Sequence, residues 1–213
     1  MGRAIAELAS GHGFEVAALL GKAAVRSRGL SADLLGGADV AVEFTEAGSA
    51  PSNILGCFEA GVPVVSGTTG WDGRRAEIAA EAQRRNAALL WAPNFSIGVH
   101  VFSRIVAEAA RAAAAAGGFD AHLVEIHHAA KKDAPSGTAR LLKDVAAALP
   151  DLPITSVRTG HVPGEHVLVL DGRYEQIRLE HVARDRRVFA DGALRAASWI
   201  IGRQGVFTLD DVL

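Results

Sequence analysis

The densest group of side chains able to carry out chemistry lies between residues 125 and 139. Two adjacent histidines, His127 and His128, end a β-like run, and a histidine can exchange a proton near neutral pH. Because neighbouring side chains on a strand point to opposite faces, we expect at most one of the two to face a given cleft. On this pattern alone, both could equally be ordinary surface or core histidines.

The residues that follow add groups that attract an anion. The cationic side chains are Lys131 and Lys132, and the predicted next helix opens with Ser136, Gly137 and Thr138. Free N–H groups at a helix N-terminus and two hydroxyls can together hold a carboxylate. In the competing interpretation Asp133 or Ser136 only caps the helix, and the lysines are solvated. Their combination with two histidines favours an anion-binding active site.

Over residues 1–95, β-like runs alternate with helical runs. This alternation predicts a parallel sheet covered by helices. The predicted strands are Phe14–Leu20, Asp39–Phe44, Val62–Val65 and Ala88–Trp91, and the predicted helices are Ala50–Ala60 and Arg74–Arg85. Cys57, the single cysteine, lies in the first of these helices and is expected to be a buried structural thiol.

The second half of the chain changes character. A long helix, Ile97–Ala116, precedes a strand at Leu123–His127 and a helix at Ser136–Ala148. Three β-like runs with short turns then indicate a mostly antiparallel sheet, and a final helix follows. These elements are Ile154–Arg158, Glu165–Leu170, Gln176–His181 and the helix Val188–Ile201. An α+β domain is therefore expected here, with a boundary near residues 94–96 and a return to the first domain near Arg187.

The opening of the chain differs from a usual nucleotide-binding domain, which begins with a strand and a glycine-rich turn. Residues 1–5 already read as the following helix, and Gly11-His12-Gly13 reads as a helix stop with a turn. We therefore expect the first strand and most of the glycine turn to be missing from this sequence. The expectation includes poor stability of the sheet, because unpaired backbone groups would be left on both neighbouring strands.

Composition excludes several classes of protein. The formal net charge of −2 gives no electrostatic case for binding nucleic acid or an acidic membrane. No apolar run reaches the roughly 18–20 residues of a membrane helix, and no secretory signal opens the chain. One cysteine rules out an intrachain disulfide and a cysteine-rich metal site. A soluble cytoplasmic protein that acts on a small molecule, without a metal, is expected.

The segment from Glu125 to Ala139 resembles the signature of dihydrodipicolinate reductases, roughly E-x-H-H-x-x-K-x-D-A-P-S-G-T-A. Other blocks agree in order along nearly the whole chain. They are Val42-Glu-Phe-Thr45, Ser66-Gly-Thr-Thr-Gly-Trp71, Ala92-Pro-Asn-Phe-Ser-Ile-Gly-Val99, Val162-Pro-Gly-Glu-His166 and Phe189-Ala-Asp-Gly-Ala193. The resemblance implies an NADPH- or NADH-dependent reductase of the lysine pathway. It also implies a Rossmann-like domain of residues 1–95 completed by 187–213, and a substrate-binding and tetramerisation domain of residues 96–186.

The resemblance also implies roles for individual residues. His127 matches the proton donor and Lys131 the residue that assists it. The positions that match those holding the substrate's carboxylates are His128, Lys131, Ser136, Gly137, Thr138 and Arg186. Arg186 could instead form a structural ion pair. The positions that match cofactor contacts are Phe44, Thr45, Gly67, Thr68, Thr69, Ala92, Asn94 and Phe95, although a glycine such as Gly67 is equally typical of a turn.

Lys22 follows the predicted strand at Phe14–Leu20, where an acidic residue would bind the adenosine ribose. A cation there removes repulsion against a 2′-phosphate, so NADPH is expected to be accepted. Ala129 replaces an arginine that many relatives carry, which we interpret as peripheral. The alternative to an active reductase is a catalytically impaired homologue that acts as a binding or assembly protein.

Overall fold

The computed structural model describes residues 1–21, 25 and 30–213, which divide into two compact units. One unit comprises Met1–Ser96 and Arg187–Leu213, and the other comprises Ile97–Arg186. Among the described residues, no helix combines the length and the apolar character needed to cross a lipid bilayer.

The first unit is a parallel sheet between helices. Its strands are β1 Ala41–Glu43, β2 Val64–Ser66, β3 Ala88–Trp91 and β8 Gly205–Phe207, in the order β1-β2-β3-β8. Its helices are α1 Gly2–Leu8, α2 Ala32–Leu35, α3 Ala50–Glu59, α4 Arg75–Arg84 and α7 Arg187–Ile200, with 3-10 turns at Ala9–His12, Asp72–Arg74 and Leu209–Val212. Val64 and Val65 are both fully buried, as expected for a parallel strand covered on both faces.

Helices α3 and α4 pack with one face of this sheet in a core that includes Ile54, Ile78 and Leu89. Cys57 belongs to the same core and is 2% exposed, which confirms the predicted buried thiol. Burial, and secondarily the nearby Glu43 carboxylate, raises the pKa of Cys57 to about 12. The thiol therefore stays protonated and unreactive.

The predicted strand at Phe14–Leu20 is wrong. The segment has no regular secondary structure, and Val16 and Leu19 are 46% and 63% exposed. A strand needs a hydrogen-bonded neighbour, and no strand of the described residues pairs with this segment. The predicted helix stop is confirmed, since Gly13 follows the 3-10 turn with φ +77°, which suits glycine.

The second unit is a mixed four-stranded sheet with two helices on one face. The strands are β4 Phe119–His127, β5 Ile154–Arg158, β6 Glu165–Gly172 and β7 Gln176–Val182, in the order β5-β4-β6-β7. The helices are α5 Ile97–Ala116 and α6 Gly137–Val145. The β4–β6 and β6–β7 pairs are antiparallel, as predicted, whereas β4 and β5 run parallel.

The core of the second unit lies between this sheet and its helices. Leu123, Leu168 and Leu170 point from the sheet toward Val106 of α5 and Leu142 of α6. Because side chains alternate along a strand, the same inner face also receives Glu125 and His127 at the end of β4. Together the two units confirm the predicted α/β class, a parallel sheet plus a separate mixed sheet.

Candidate active site

His127 is the last residue of β4 and lies on the inner face of the sheet, where it is 8% exposed. His128 begins the following loop and is half-buried, with its carbonyl accepting a hydrogen bond from the Lys131 N–H at 3.0 Å. Only His127 joins the buried cluster described below. Burial lowers the pKa of His127, Glu125 opposes that effect, and Lys131 and Arg158 add to it.

The Glu125 carboxylate is the centre of this cluster and is fully buried. Its Oε2 is hydrogen-bonded to His127 Nδ1, while its Oε1 accepts from Arg158 Nη2 at 2.6 Å. Arg158 reaches it from the parallel strand β5 and also donates to the Asp133 carbonyl at 2.7 Å. Burial would raise the pKa of Glu125, but hydrogen bonds from Arg158, Ser156 and His127 outweigh it and hold the pKa at about 2.

Two further histidines extend the cluster across the sheet. His166 on β6 lies opposite Glu125, and His181 on β7 lies opposite His166. The rings of His127 and His166 meet edge to face at 5.3 Å, and His166 Nε2 lies 3.5 Å from Ser136 Oγ. Burial, followed by the charge of His127, lowers the pKa of His166 to about 3, so this ring is neutral at physiological pH. Among the described residues, the buried Nδ1 atoms of His166 and His181 have no hydrogen-bond partner.

The start of α6 brings together four of the residues predicted to hold carboxylates: Lys131, Ser136, Gly137 and Thr138. Ser136 caps the helix, because its Oγ accepts from Ala139 N at 3.1 Å, and its own N–H donates to Glu125 Oε1 at 3.3 Å. Ser136 therefore caps the helix, and its contact with a substrate stays a prediction.

Asp133 places a negative charge at the same helix end. Its carboxylate lies 2.7 Å from Lys131 Nζ, and the hydrogen bond from Lys131, with a smaller one from the Gly137 N–H, lowers the pKa of Asp133. The ammonium and this N–H can therefore hold a carboxylate, and here that carboxylate belongs to the chain itself.

Gly164 keeps side-chain atoms away from the other nitrogen of His127. A Cβ at this position would lie 3.0 Å from His127 Nε2. Since Nδ1 is bonded to Glu125, Nε2 is the nitrogen left to contact a ligand.

The first unit contains an open pocket of about 310 Å³ beyond the carboxyl ends of β1 and β2. Open α/β sheets bind nucleotides at such strand ends. The pocket contains five of the residues predicted to contact the cofactor and is lined by Met1, Phe44, Thr45, Ala47, Gly67, Thr68 and Thr69.

The buried Glu43 carboxylate holds the backbone around this pocket. It accepts hydrogen bonds from the hydroxyls of Thr45, Ser66 at 2.6 Å and Thr68 at 3.0 Å. Thr68 Oγ1 in turn accepts from the Thr45 N–H at 2.7 Å, which ties the ends of β1 and β2 together. This hydrogen-bond network holds the two loops that follow β1 and β2 in one arrangement.

Two tryptophans hold the Gly67–Thr69 turn through hydrogen bonds to its backbone. The indole N–H groups of Trp71 and Trp91 both donate to the Thr68 carbonyl, at 2.7 and 2.9 Å. A side chain at Gly67 would meet the Phe44 ring, since a Cβ there would lie 2.1 Å from a ring carbon. Glycine at this position is therefore required by packing, in addition to any contact with a ligand.

Three more of the predicted cofactor residues, Ala92, Asn94 and Phe95, follow β3 in the same unit. Ala92 and Phe95 are buried, and Phe95 packs on the Phe44 ring with centroids 5.7 Å apart. Asn94 Oδ1 accepts from the Ser96 N–H at 2.8 Å and shapes the turn. These contacts connect the segment to the pocket through Phe44.

Two predicted site residues remain, Arg186 and Lys22. Arg186 is exposed at the end of the second unit, and its contact with a substrate stays a prediction. Lys22 lies outside the described residues. No group of three or more metal-ligating side chains occurs within the described ranges.

Sequence reasoning did not single out Glu125, Arg158, His166 or Glu43 as members of a site. Glu125 lies two residues before His127 on the same strand, so both side chains point to the same face of the sheet. This spacing was the available signal for Glu125. Arg158 and His166 reach the cluster only through strand register, which no local pattern specifies.

Comparison with known proteins identifies relatives of both units. Residues 1–95 match the family model "Dihydrodipicolinate reductase, N-terminus", and residues 98–213 match "Dihydrodipicolinate reductase, C-terminus". A 4-hydroxy-tetrahydrodipicolinate reductase of Methanosarcina mazei is 37% identical over 83% of this chain and 73% of its own length. One from Xanthomonas euvesicatoria pv. vesicatoria is 44% identical over 81% of this chain and 73% of its own.

A solved structure shares the fold. It is a dipicolinate-bound dihydrodipicolinate reductase from Paenisporosarcina sp. TG-14, with a TM-score of 0.68 and 24% identity. The match covers 82% of this chain and 74% of that one.

Proposed function

The chain belongs to the dihydrodipicolinate reductase family, and from this membership we infer that it reduces 4-hydroxy-tetrahydrodipicolinate in the diaminopimelate route to lysine. The chain is accordingly an oxidoreductase. The observation that carries this conclusion is the match of both family models, which together account for residues 1–95 and 98–213.

A nicotinamide cofactor fits the first unit. Thr45, Thr68 and Thr69 line the pocket beyond β1 and β2, together with Phe44 and Gly67. When bound, the reduced nicotinamide supplies the hydride. Ala92, Asn94 and Phe95 shape the segment after β3 and are proposed to complete the cofactor site.

Both NADPH and NADH are proposed as cofactors, with NADPH accepted because Lys22 supplies a cation after residue 20. Replacing Lys22 with glutamate would repel a 2′-phosphate and favour NADH. The ratio of kcat/KM for the two cofactors measures the change. An unchanged ratio would show that Lys22 does not contact the adenosine ribose.

The second unit is proposed to bind the substrate and to protonate it. His127 donates the proton, and the Lys131 ammonium stabilises negative charge that develops on the substrate ring. His128, Ser136, Gly137, Thr138 and Arg186 are proposed to hold the two carboxylates. Because Asp133 already pairs with Lys131, a substrate carboxylate would have to compete with it for the ammonium.

The outer face of the second unit's sheet is the proposed surface of a homotetramer. Strand register places Val157, Ile126, Glu165 and Val182 in one row across that face. Val157 is 36% exposed and Val182 is 49% exposed, so apolar surface is available for a second copy of the chain. Analytical ultracentrifugation of Val182→Glu against the unsubstituted chain measures the oligomer, and an unchanged mass would exclude this face.

Oxidation of NADPH or NADH in the presence of freshly prepared substrate tests the function. The unsubstituted chain should turn over, whereas His127→Ala and Lys131→Ala should reduce turnover by about 10²-fold or more. Lys132→Ala is the matched control, because Lys132 is the exposed neighbour of Lys131. Normal turnover by both variants would remove His127 and Lys131 from the mechanism, and no turnover by the unsubstituted chain with either cofactor would contradict the function.

A further inference from the structure

The two nitrogens of His127 have different surroundings. Nδ1 is bonded to the Glu125 carboxylate, which is fully buried, while Nε2 faces the position where Gly164 carries no side chain. The carboxylate is also fixed from its other oxygen, since Arg158 donates to Oε1 at 2.6 Å. The Arg158 side chain is itself only 17% exposed, so this ion pair is shielded from water.

We propose that Glu125 and Arg158 are positioning residues for His127, and that they make Nε2 the nitrogen that gives a proton to the substrate. The proposal rests on the proposed role of His127 as the proton donor. Glu125 fixes the ring by its Nδ1–H group, and Arg158 fixes Glu125 across the β4–β5 pair, where His127 and Arg158 are register partners.

The proton and the electrons of the reduction are accounted for by His127, Glu125 and the hydride that a bound reduced nicotinamide would supply. A bound reduced nicotinamide would supply the hydride, and with it the two electrons that reduce the substrate ring. The Nε2–H bond of the His127 imidazolium then breaks, its electron pair stays on Nε2, and the proton bonds to the ring. His127 is left neutral with its Nδ1–H group still bonded to Glu125, which remains a carboxylate.

The charged groups around His127 allow the proposal to be tested through the pKa of His127. The groups that face the ring are Glu125 on β4, Arg158 on β5, Lys131 in the loop after β4 and His166 on β6, with His181 beyond His166 and Asp133 paired to Lys131. Glu125 raises the pKa of His127, whereas Arg158 lowers it. Removing one or the other should therefore move the protonation of His127 in opposite directions.

The pH dependence of kcat/KM tests whether removing Glu125 and removing Arg158 shift the pKa of His127 in opposite directions. Activity that needs the imidazolium is lost as the pH rises through the pKa of His127. Glu125→Gln should move this alkaline limb to lower pH by about 1–3 units, the usual effect of an adjacent opposite charge. Arg158→Met should move it to higher pH, and Arg158→Lys, which keeps the charge, should leave it close to its original position. The ionisation of the substrate is common to all variants and cancels in the comparison.

Different outcomes separate this inference from the proposed function. If His127→Ala turns over normally, the role of His127 itself is wrong. If His127→Ala is inactive but Glu125→Gln and Arg158→Met lose activity with unmoved limbs, the two residues are merely structural and the inference is overturned.

A spectroscopic measurement on the unsubstituted chain covers the case in which a variant fails to fold, as judged by circular dichroism. In protein with ¹⁵N-labelled histidine, the His127 signals are identified by their loss in His127→Ala. Neutral His127 should carry its proton on Nδ1, and a proton on Nε2 of the neutral ring would overturn the inference.

Discussion

Replacing Thr68 with valine should loosen the turn that forms the pocket of the first unit, because it removes one hydroxyl at nearly constant volume. Thr68 is 6% exposed, and its hydroxyl donates to Glu43 at 3.0 Å and accepts from the Thr45 N–H at 2.7 Å. A hydrogen bond to a charged group contributes about 1.5–3 kcal/mol and a neutral one about 0.5–1.5 kcal/mol. Thr45 is exposed, so its N–H recovers a bond to water, and Glu43 keeps two other donors. The net loss should be about 2 kcal/mol.

Urea unfolding followed by tryptophan fluorescence measures this loss in the relevant unit. The three tryptophans, Trp71, Trp91 and Trp199, all belong to the first unit, so their signal reports its unfolding without a contribution from the second. With a slope of about 2 kcal/mol per molar urea, the midpoint should fall by about 1 M.

Thr69→Val is the control, because it makes the same chemical change at the exposed neighbouring residue. Its stability should change by no more than about 0.5 kcal/mol. If Thr68→Val and Thr69→Val unfold at the same urea concentration, with equal slopes, then the Glu43 network does not stabilise the turn and the reasoning is refuted.

Three other substitutions test separate features. Gly192→Ala would place a Cβ 1.7 Å from the Phe95 carbonyl oxygen. The free energy of unfolding of the first unit should therefore fall by at least about 1–3 kcal/mol in the same urea assay. Gly73→Ala is the control and should leave it unchanged, because a Cβ at Gly73 meets open space. His166 has a pKa lowered to about 3, so between pH 6.5 and 3 the unfolded chain binds a proton that the folded chain does not, and stability falls as the pH drops. His166→Gln should reduce that fall, by up to about 1.4 kcal/mol per pH unit, and an unchanged pH dependence of urea unfolding monitored by circular dichroism would contradict it. Thr138→Val should weaken substrate binding by about 1–3 kcal/mol without affecting NADPH, and an unchanged KM would exclude the hydroxyl as a ligand.

Elements with strong local signals were predictable from the sequence. Helix Ile97–Ala116 and strands Ala88–Trp91 and Ile154–Arg158 have the predicted bounds, because periodic apolar residues are followed there by clear glycine, proline or polar breaks. The strand Gly205–Phe207 was not predicted, since its three residues become a strand only by pairing with β3. Phe14–Leu20 shows the reverse case, in which β-favouring residues lack a partner.

The candidate site likewise has a part that local sequence predicts and a part that depends on strand pairing. The block from His127 to Thr138 is contiguous, so its strand end and helix start could be predicted together. Arg158, His166 and His181 join it from three other strands by register, which depends on the assembled sheet and not on nearby residues. The Glu125 carboxylate lies within the recognised segment, but its contact with Arg158 depends on the pairing of β4 with β5.

The division of the first unit into two stretches of chain affects its synthesis. Strand β3 ends at Trp91, yet its neighbour β8 begins only at Gly205, after the whole second unit. At about 5–20 residues per second, a ribosome needs on the order of 10 s to make the chain between them. During that interval one edge of the nascent β3 lacks its neighbouring strand, because the whole second unit, Ile97–Arg186, is translated before β8. Chaperones that bind exposed strand edges would therefore act on the first unit before its last strand is translated.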